Sequence, residues 1–115
     1  MKLVEVNKKA FIIRNDFEKN KINYTLLKKE YMKYNKIKGI HRFIKKSKIL
    51  FPKLNCGLAS VYLKHFLGGE VIKGKYKKQD HTFLFLGNKI VVDITADQYG
   101  GPKIYIGPIK EPWSV

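Results

Sequence analysis

Three residues far apart along the chain, Cys56, His81 and Asp93, are of the kinds that together make a nucleophile, a proton carrier and an orienting acid. A thiol attacks as its thiolate, so such a cysteine needs surroundings that release its proton near neutral pH. The free N–H groups and positive dipole end of a helix N-terminus favour that anion. A nearby imidazole takes the thiol proton and later delivers it to the leaving group, while a third group holds the ring in orientation. Cys56 is the only cysteine in 115 residues. It can form neither an intramolecular disulfide nor a multi-Cys zinc site. An inert buried thiol and a nucleophile remain open to it.

The local pattern predicts the elements that carry these side chains. Asn55 is a good N-cap. Leu58, Ala59, Tyr62, Leu63 and Phe66 form an apolar stripe at helical spacing, and Gly68-Gly69 ends it. Cys56 thus falls in the first turn of a buried helix. Glu70 to Lys73 is a short strand, followed by a polar, basic stretch from Gly74 to Asp80. Residues 81–86 and 89–94 are apolar, rich in aromatic or β-branched types, and separated by Gly87-Asn88, the signature of a hairpin. A three-residue loop such as Leu86-Gly87-Asn88 would set His81 directly opposite Asp93 on one face. A strict Gly87-Asn88 loop would send the two side chains to opposite faces, so the triad requires an odd loop or a bulge. Gly100-Gly101-Pro102 is a turn, Lys103 to Ile106 a last strand, and Gly107-Pro108 with Pro112-Trp113 an irregular tail.

Upstream, residues 3–13 read as a short strand or the start of a helix. Leu26, Leu27, Tyr31 and Tyr34 have helical spacing with lysines on the other face. Gly39 punctuates the chain, and Ile40, Phe43 and Ile44 open a second short helix that closes before Phe51-Pro52. Lys28-Lys29 and Lys45-Lys46 form solvated faces of these helices. Helices first, then a central helix, then an antiparallel sheet make an α+β layout. The length suits one domain over residues 1–115, with a basic helical part (1–54) and a central helix plus sheet (55–115).

His41 and His65 compete with His81 for the role of base. His65 lies on the same helix as Cys56, roughly 13 Å away along its axis, which excludes it. His41 would have to come from the basic N-terminal part. No glutamine precedes Cys56, so the Cys56 N–H with the Asn55 side chain is the best oxyanion donor set. Gln98 and Asp97 suit caps of the turn after the second hairpin strand, with Gln98 also a support for the site. Trp113 reads as a core plug.

The net charge is +15, and residues 1–50 carry 15 Lys/Arg against 4 Asp/Glu, a net +11. Such a field attracts nucleic acid, acidic protein surfaces or anionic lipid. AT-rich composition is the other source of so much lysine. Only Arg14 and Arg42 are arginines, whereas specific phosphate and base readers lean on the bidentate guanidinium. No apolar run approaches the length of a membrane span, and an acid meets the chain before any long apolar h-region. The reading is a soluble, cytoplasmic protein that uses no metal or cofactor.

The stretch from Cys56 to Trp113 resembles the YunG-type family of small bacterial proteins, and through it the papain-like and transglutaminase-like superfamily. The resemblance is carried by Asn55-Cys56-Gly57-Leu58-Ala59-Ser60 and Phe66-Leu67-Gly68-Gly69-Glu70. It continues in His81, in Asp93-Ile94-Thr95-Ala96-Asp97-Gln98-Tyr99, in Tyr105-Ile106-Gly107-Pro108 and in Pro112-Trp113. It covers about half of the chain, and the D-x-T-A-D-Q-aromatic segment is its most specific part. It implies Cys56 as nucleophile, His81 as general base and acid, and Asp93 as the orienting partner. Relatives commonly carry an aromatic immediately after the histidine; here Thr82 intervenes before Phe83. The function expected is a thiol protease-like hydrolase or acyltransferase (peptidase, amidase, deamidase or transglutaminase-like) on an acidic protein or peptide. The alternatives are a non-catalytic basic module for nucleic acid or an acidic partner, as in a phage or plasmid-borne effector, and a toxin acting through the same thiol.

Overall fold

The computed structural model describes residues 2–115. Four helices, α1 (Leu3–Glu18), α2 (Tyr24–Tyr34), α3 (Ile40–Leu50) and α4 (Cys56–Leu67), precede an antiparallel sheet. Its strands are β1 (Glu70–Tyr76), β2 (Gln79–Leu86), β3 (Ile90–Asp93), β4 (Tyr105–Pro108) and β5 (Trp113–Ser114), in the spatial order β4-β3-β2-β1-β5. The fold is α+β. No helix among the described residues is long and apolar enough to cross a membrane.

Residues 3–13, ambiguous by pattern, belong to α1. Its inward face is Val6, Ala10, Ile13, Arg14 and Phe17, spaced three or four apart. The ambiguity arose because Leu3, Val4, Phe11 and Ile12 are exposed and blur the stripe. Helix α4 is the pivot of the core, with Leu58, Ala59, Val61, Tyr62 and Leu63 buried. One side of it meets α1 and α2, and another meets β1 and β2. Gly68, at φ +76°, ends the helix in a backbone conformation that side chains disfavour.

The sheet is covered on both faces, and the strands show it by alternation. Leu84 and Val92 join the helical core, whereas Phe83 and Val91 join a second cluster with Tyr76, Ala96 and Trp113. Trp113 on β5 stacks on Tyr105 of β4, with ring centroids 4.0 Å apart. Those strands are the two edges of the sheet, so the sheet curls until its edges meet around the second cluster.

Three strand expectations are corrected. The short strand read as Glu70 to Lys73 is longer: β1 runs on through the polar, basic stretch to Tyr76, Lys77 and Lys78 turn at φ +49° and +70°, and β2 begins at Gln79. Two positive φ values suit the tight hairpin turn usually signalled by Asn-Gly, which the lysines concealed. The last long strand is Tyr105–Pro108 rather than Lys103 to Ile106, and the tail adds β5 against β1. Finally, the β2–β3 loop is Gly87–Lys89. It has the odd length that puts His81 and Asp93 on one face, but Leu84 pairs with Val92 and Leu86 with Ile90. The two are therefore diagonal neighbours rather than directly opposite, still within reach of a ring and a carboxylate.

Candidate active site

Cys56 is the first residue of α4 and half-buried. The first helical hydrogen bond ends on Asn55 O and starts from the Ala59 N–H. The N–H groups of Cys56, Gly57 and Leu58 therefore have no acceptor within the helix. Gly57 lets α2 come close: a Cβ there would lie 3.3 Å from the Tyr31 ring. Gly74, paired with His81 across β1 and β2, has no room for a side chain against the Phe83 ring and Ser114 O.

His81 and Asp93 are buried together. The His81 Nε2–H donates to Asp93 Oδ2 at 2.6 Å. The Trp113 Nε1–H donates to the same oxygen at 2.7 Å, and the Thr95 N–H holds Oδ1 at 2.9 Å. A buried carboxylate needs such partners. The ring of His81 also meets Tyr99 edge-on at 5.3 Å and Tyr76 at 6.0 Å. With Nε2 engaged, Nδ1 is the nitrogen left for the thiol. It has no partner at full hydrogen-bonding geometry, yet Cys56 is near enough that each group shifts the other's proton affinity.

The electrostatics lower the thiol and raise the imidazole. Burial pushes the Cys56 thiol up, but His81 and the Thr82 N–H and hydroxyl outweigh it and hold the thiol below its ordinary value. For His81, burial pulls down. The bond to Asp93, the neighbouring Cys56 and the charges of both win, and the ring is pushed up to about 9. A thiol held below its ordinary value at a helix N-terminus, beside a ring whose far nitrogen is fixed, has the parts needed for nucleophilic attack followed by proton return. Among the described residues, no three His, Cys, Asp or Glu side chains converge to hold a metal.

The remaining site expectations fare differently. Asn55 is buried but does not cap α4 with its side chain; its Nδ2 donates to Ser47 O at 3.0 Å and Lys53 O at 2.8 Å. Both amide protons are committed, which corrects its place as an oxyanion donor. Gln98 sits on the short turn Ala96–Tyr99, with a buried Nε2 that meets no partner, and is not among the residues lining the hollows beside Cys56. Asp97 does not cap that turn through its side chain but receives Arg14 at 2.7 and 2.8 Å. His41 on α3 contacts Lys28 on α2 and is not among the residues lining the hollows beside Cys56, and His65 pairs with Glu30. Trp113 and Arg14 are the participants that pattern reading missed. A Trp near the end of a strand-poor tail carries no signal of a carboxylate partner, and a single Arg among lysines shows only as charge.

Comparison with protein-family models, curated proteins and solved structures found no match to this chain.

Proposed function

We propose that the chain is a cysteine-dependent hydrolase or acyltransferase of papain-like or transglutaminase-like type, acting on an amide or thioester. The observation that carries this reading is the His81 ring, tied at 2.6 Å to Asp93 through Nε2, with Nδ1 unengaged and the helix-terminal Cys56 lining the same hollow. The motif resemblance from Cys56 to Trp113 agrees with it. In the reaction, the Cys56 thiolate forms a C–S bond to the substrate carbonyl carbon. The resulting oxyanion turns to the free N–H groups at the start of α4, which take the part that a Gln or Asn side chain would otherwise play. His81 gives its Nδ1 proton to the leaving nitrogen or sulfur as that bond breaks, leaving a thioester. His81 then takes a proton from water or an amine as it attacks, and the thiolate departs. Asp93, held by Trp113 and Thr95, keeps the ring in place throughout.

Acyl-enzyme trapping tests the proposal. Incubation with p-nitrophenyl acetate followed by intact mass measurement should show one acetyl group on Cys56, lost in Cys56→Ala and formed far more slowly in His81→Ala. Acetylation at the same rate in His81→Ala would refute it.

A second reading, a basic module for nucleic acid, is favoured by one observation. Between α2 and α3, Lys28, His41, Lys45 and Lys48 line one concave surface with Tyr24 and no acid. Binding to generic RNA should weaken steeply with salt and weaken uniformly in Lys45→Gln; no binding at low salt removes this reading.

A further inference from the structure

Two hollows meet at Cys56, and they differ in chemistry. One, of about 400 Å³, is lined by Tyr31, Tyr34, Phe43, Leu54 and Val71. The other, of about 340 Å³, is lined by Gly74, Asp80 and His81. Cys56, Lys73 and Thr82 border both. His81 borders only the second.

We propose that the first hollow takes the acyl half of the substrate and selects an aromatic or branched aliphatic side chain next to the scissile carbonyl, while the second takes the leaving group. This rests on the enzymatic reading above. The direction follows from proton delivery: the leaving group must depart on the side where His81 hands over its proton. What stays bonded to sulfur lies on the other side. That side presents three aromatic rings and no acidic residue. Tyr31 and Phe43 already pack at 5.7 Å, so the wall is preformed, as small-molecule sites usually are.

A second observation concerns Leu54, two residues before the nucleophile. It is 41% exposed and holds φ +68°. Neither burial nor backbone favours leucine there, since positive φ suits Asn or Gly. Tyr34, on the same rim, is 45% exposed. An apolar rim kept at the surface beside a reactive sulfur is accounted for by contact with an apolar ligand.

The test uses acetyl-capped phenylalanyl, leucyl and aspartyl acyloxymethyl ketones on the full chain. In each, the thiolate forms a C–S bond to the methylene carbon and a carboxylate leaves. The second-order rate of Cys56 labelling is read by intact mass. The phenylalanyl and leucyl probes should label about tenfold or more faster than the aspartyl probe, the size of discrimination an apolar pocket gives. Leu54→Asp combined with Tyr34→Asp should reduce that ratio to about threefold or less. If the double variant does not fold, Leu54→Asn supplies the same readout in a residue suited to this φ. Equal rates, a faster aspartyl probe, or a ratio that survives the variants would overturn the proposal. Iodoacetamide, which carries no acyl side chain, separates the two levels. Cys56 reacting quickly with it but without side-chain preference sinks only the specificity. Cys56 reacting no faster than free cysteine at neutral pH sinks the enzymatic reading and this one together.

Discussion

Asp93→Asn removes the acid's charge while nearly preserving its shape. The amide keeps one oxygen, which can serve either the His81 and Trp113 donors of Oδ2 or the Thr95 N–H on Oδ1, not both, and it offers His81 no negative partner. In the native protein His81 rises from 6.5 to about 9, against the pull of burial, with the Asp93 hydrogen bond the foremost of the groups that raise it. That rise corresponds to about 3 kcal/mol in favour of the imidazolium. Asp93 contributes through both its hydrogen bond and its charge, so its loss should lower the His81 titration by about one pH unit or more. Coupling is reciprocal. A thiol that loses its imidazolium at neutral pH should titrate higher, so the midpoint of Cys56 alkylation moves up towards that of an ordinary thiol. His81 is followed by NMR of the labelled imidazole, and Cys56 by iodoacetamide rates across pH. The two midpoints belong to a coupled pair and should move in opposite directions, His81 down and Cys56 up. Unchanged midpoints in Asp93→Asn, or a native Cys56 that titrates as an ordinary thiol, would refute the reasoning.

Stability should show the same coupling in its pH dependence. Folded His81 holds a proton that the unfolded ring releases, a contribution complete below 6.5 and lost as pH rises through about 9. The lowered Cys56 thiol contributes with the opposite sign, present above its ordinary value and lost as pH falls through the folded one. Where the ranges overlap, the two offset each other and native stability stays flat. In Cys56→Ala, where Asp93 still raises His81 but the thiol no longer does, urea midpoints should therefore fall as pH rises above 6.5, over a range that ends short of about 9, and a flat Cys56→Ala profile would contradict this. Trp113→Phe keeps an aromatic ring on Tyr105 but deletes the 2.7 Å donor to Asp93. It should cost about 1–2 kcal/mol in urea unfolding and slow acyl transfer through kcat more than KM. Arg14→Leu strands Asp97 and Ile94 O without their donor and should cost about 2–4 kcal/mol, read by the same unfolding; Arg14→Lys should recover little of it, because a point charge cannot replace the fork.

Much of the site was legible because its members sit on strong local patterns. Cys56 follows a helix-start residue and precedes a clean apolar stripe. His81 and Asp93 lie in two apolar runs joined by a turn, and only parity separated a shared face from opposite faces. The exact register was not legible, because Asn88 and Lys89 both adopt positive φ and a lysine gives no notice of it. The role of Asn55 was misread for a related reason. An Asn before a helix signals a cap, yet Ser47 O and Lys53 O lie close by in space and claim its amide. Curling of the sheet was illegible altogether, since it depends on Tyr105 and Trp113 meeting across its two edges.

The Arg14 side chain reaches from the first helix to Ile94 O at 2.7 Å and to Asp97. Ile94 is the residue immediately after Asp93, and Thr95, whose N–H holds the Asp93 carboxylate, comes next. The opening helix is thus mechanically joined to the backbone beside the Asp93 carboxylate that holds His81. Tilting that helix would pull on the backbone one residue from the carboxylate, so a strain applied at α1 would be felt at Asp93.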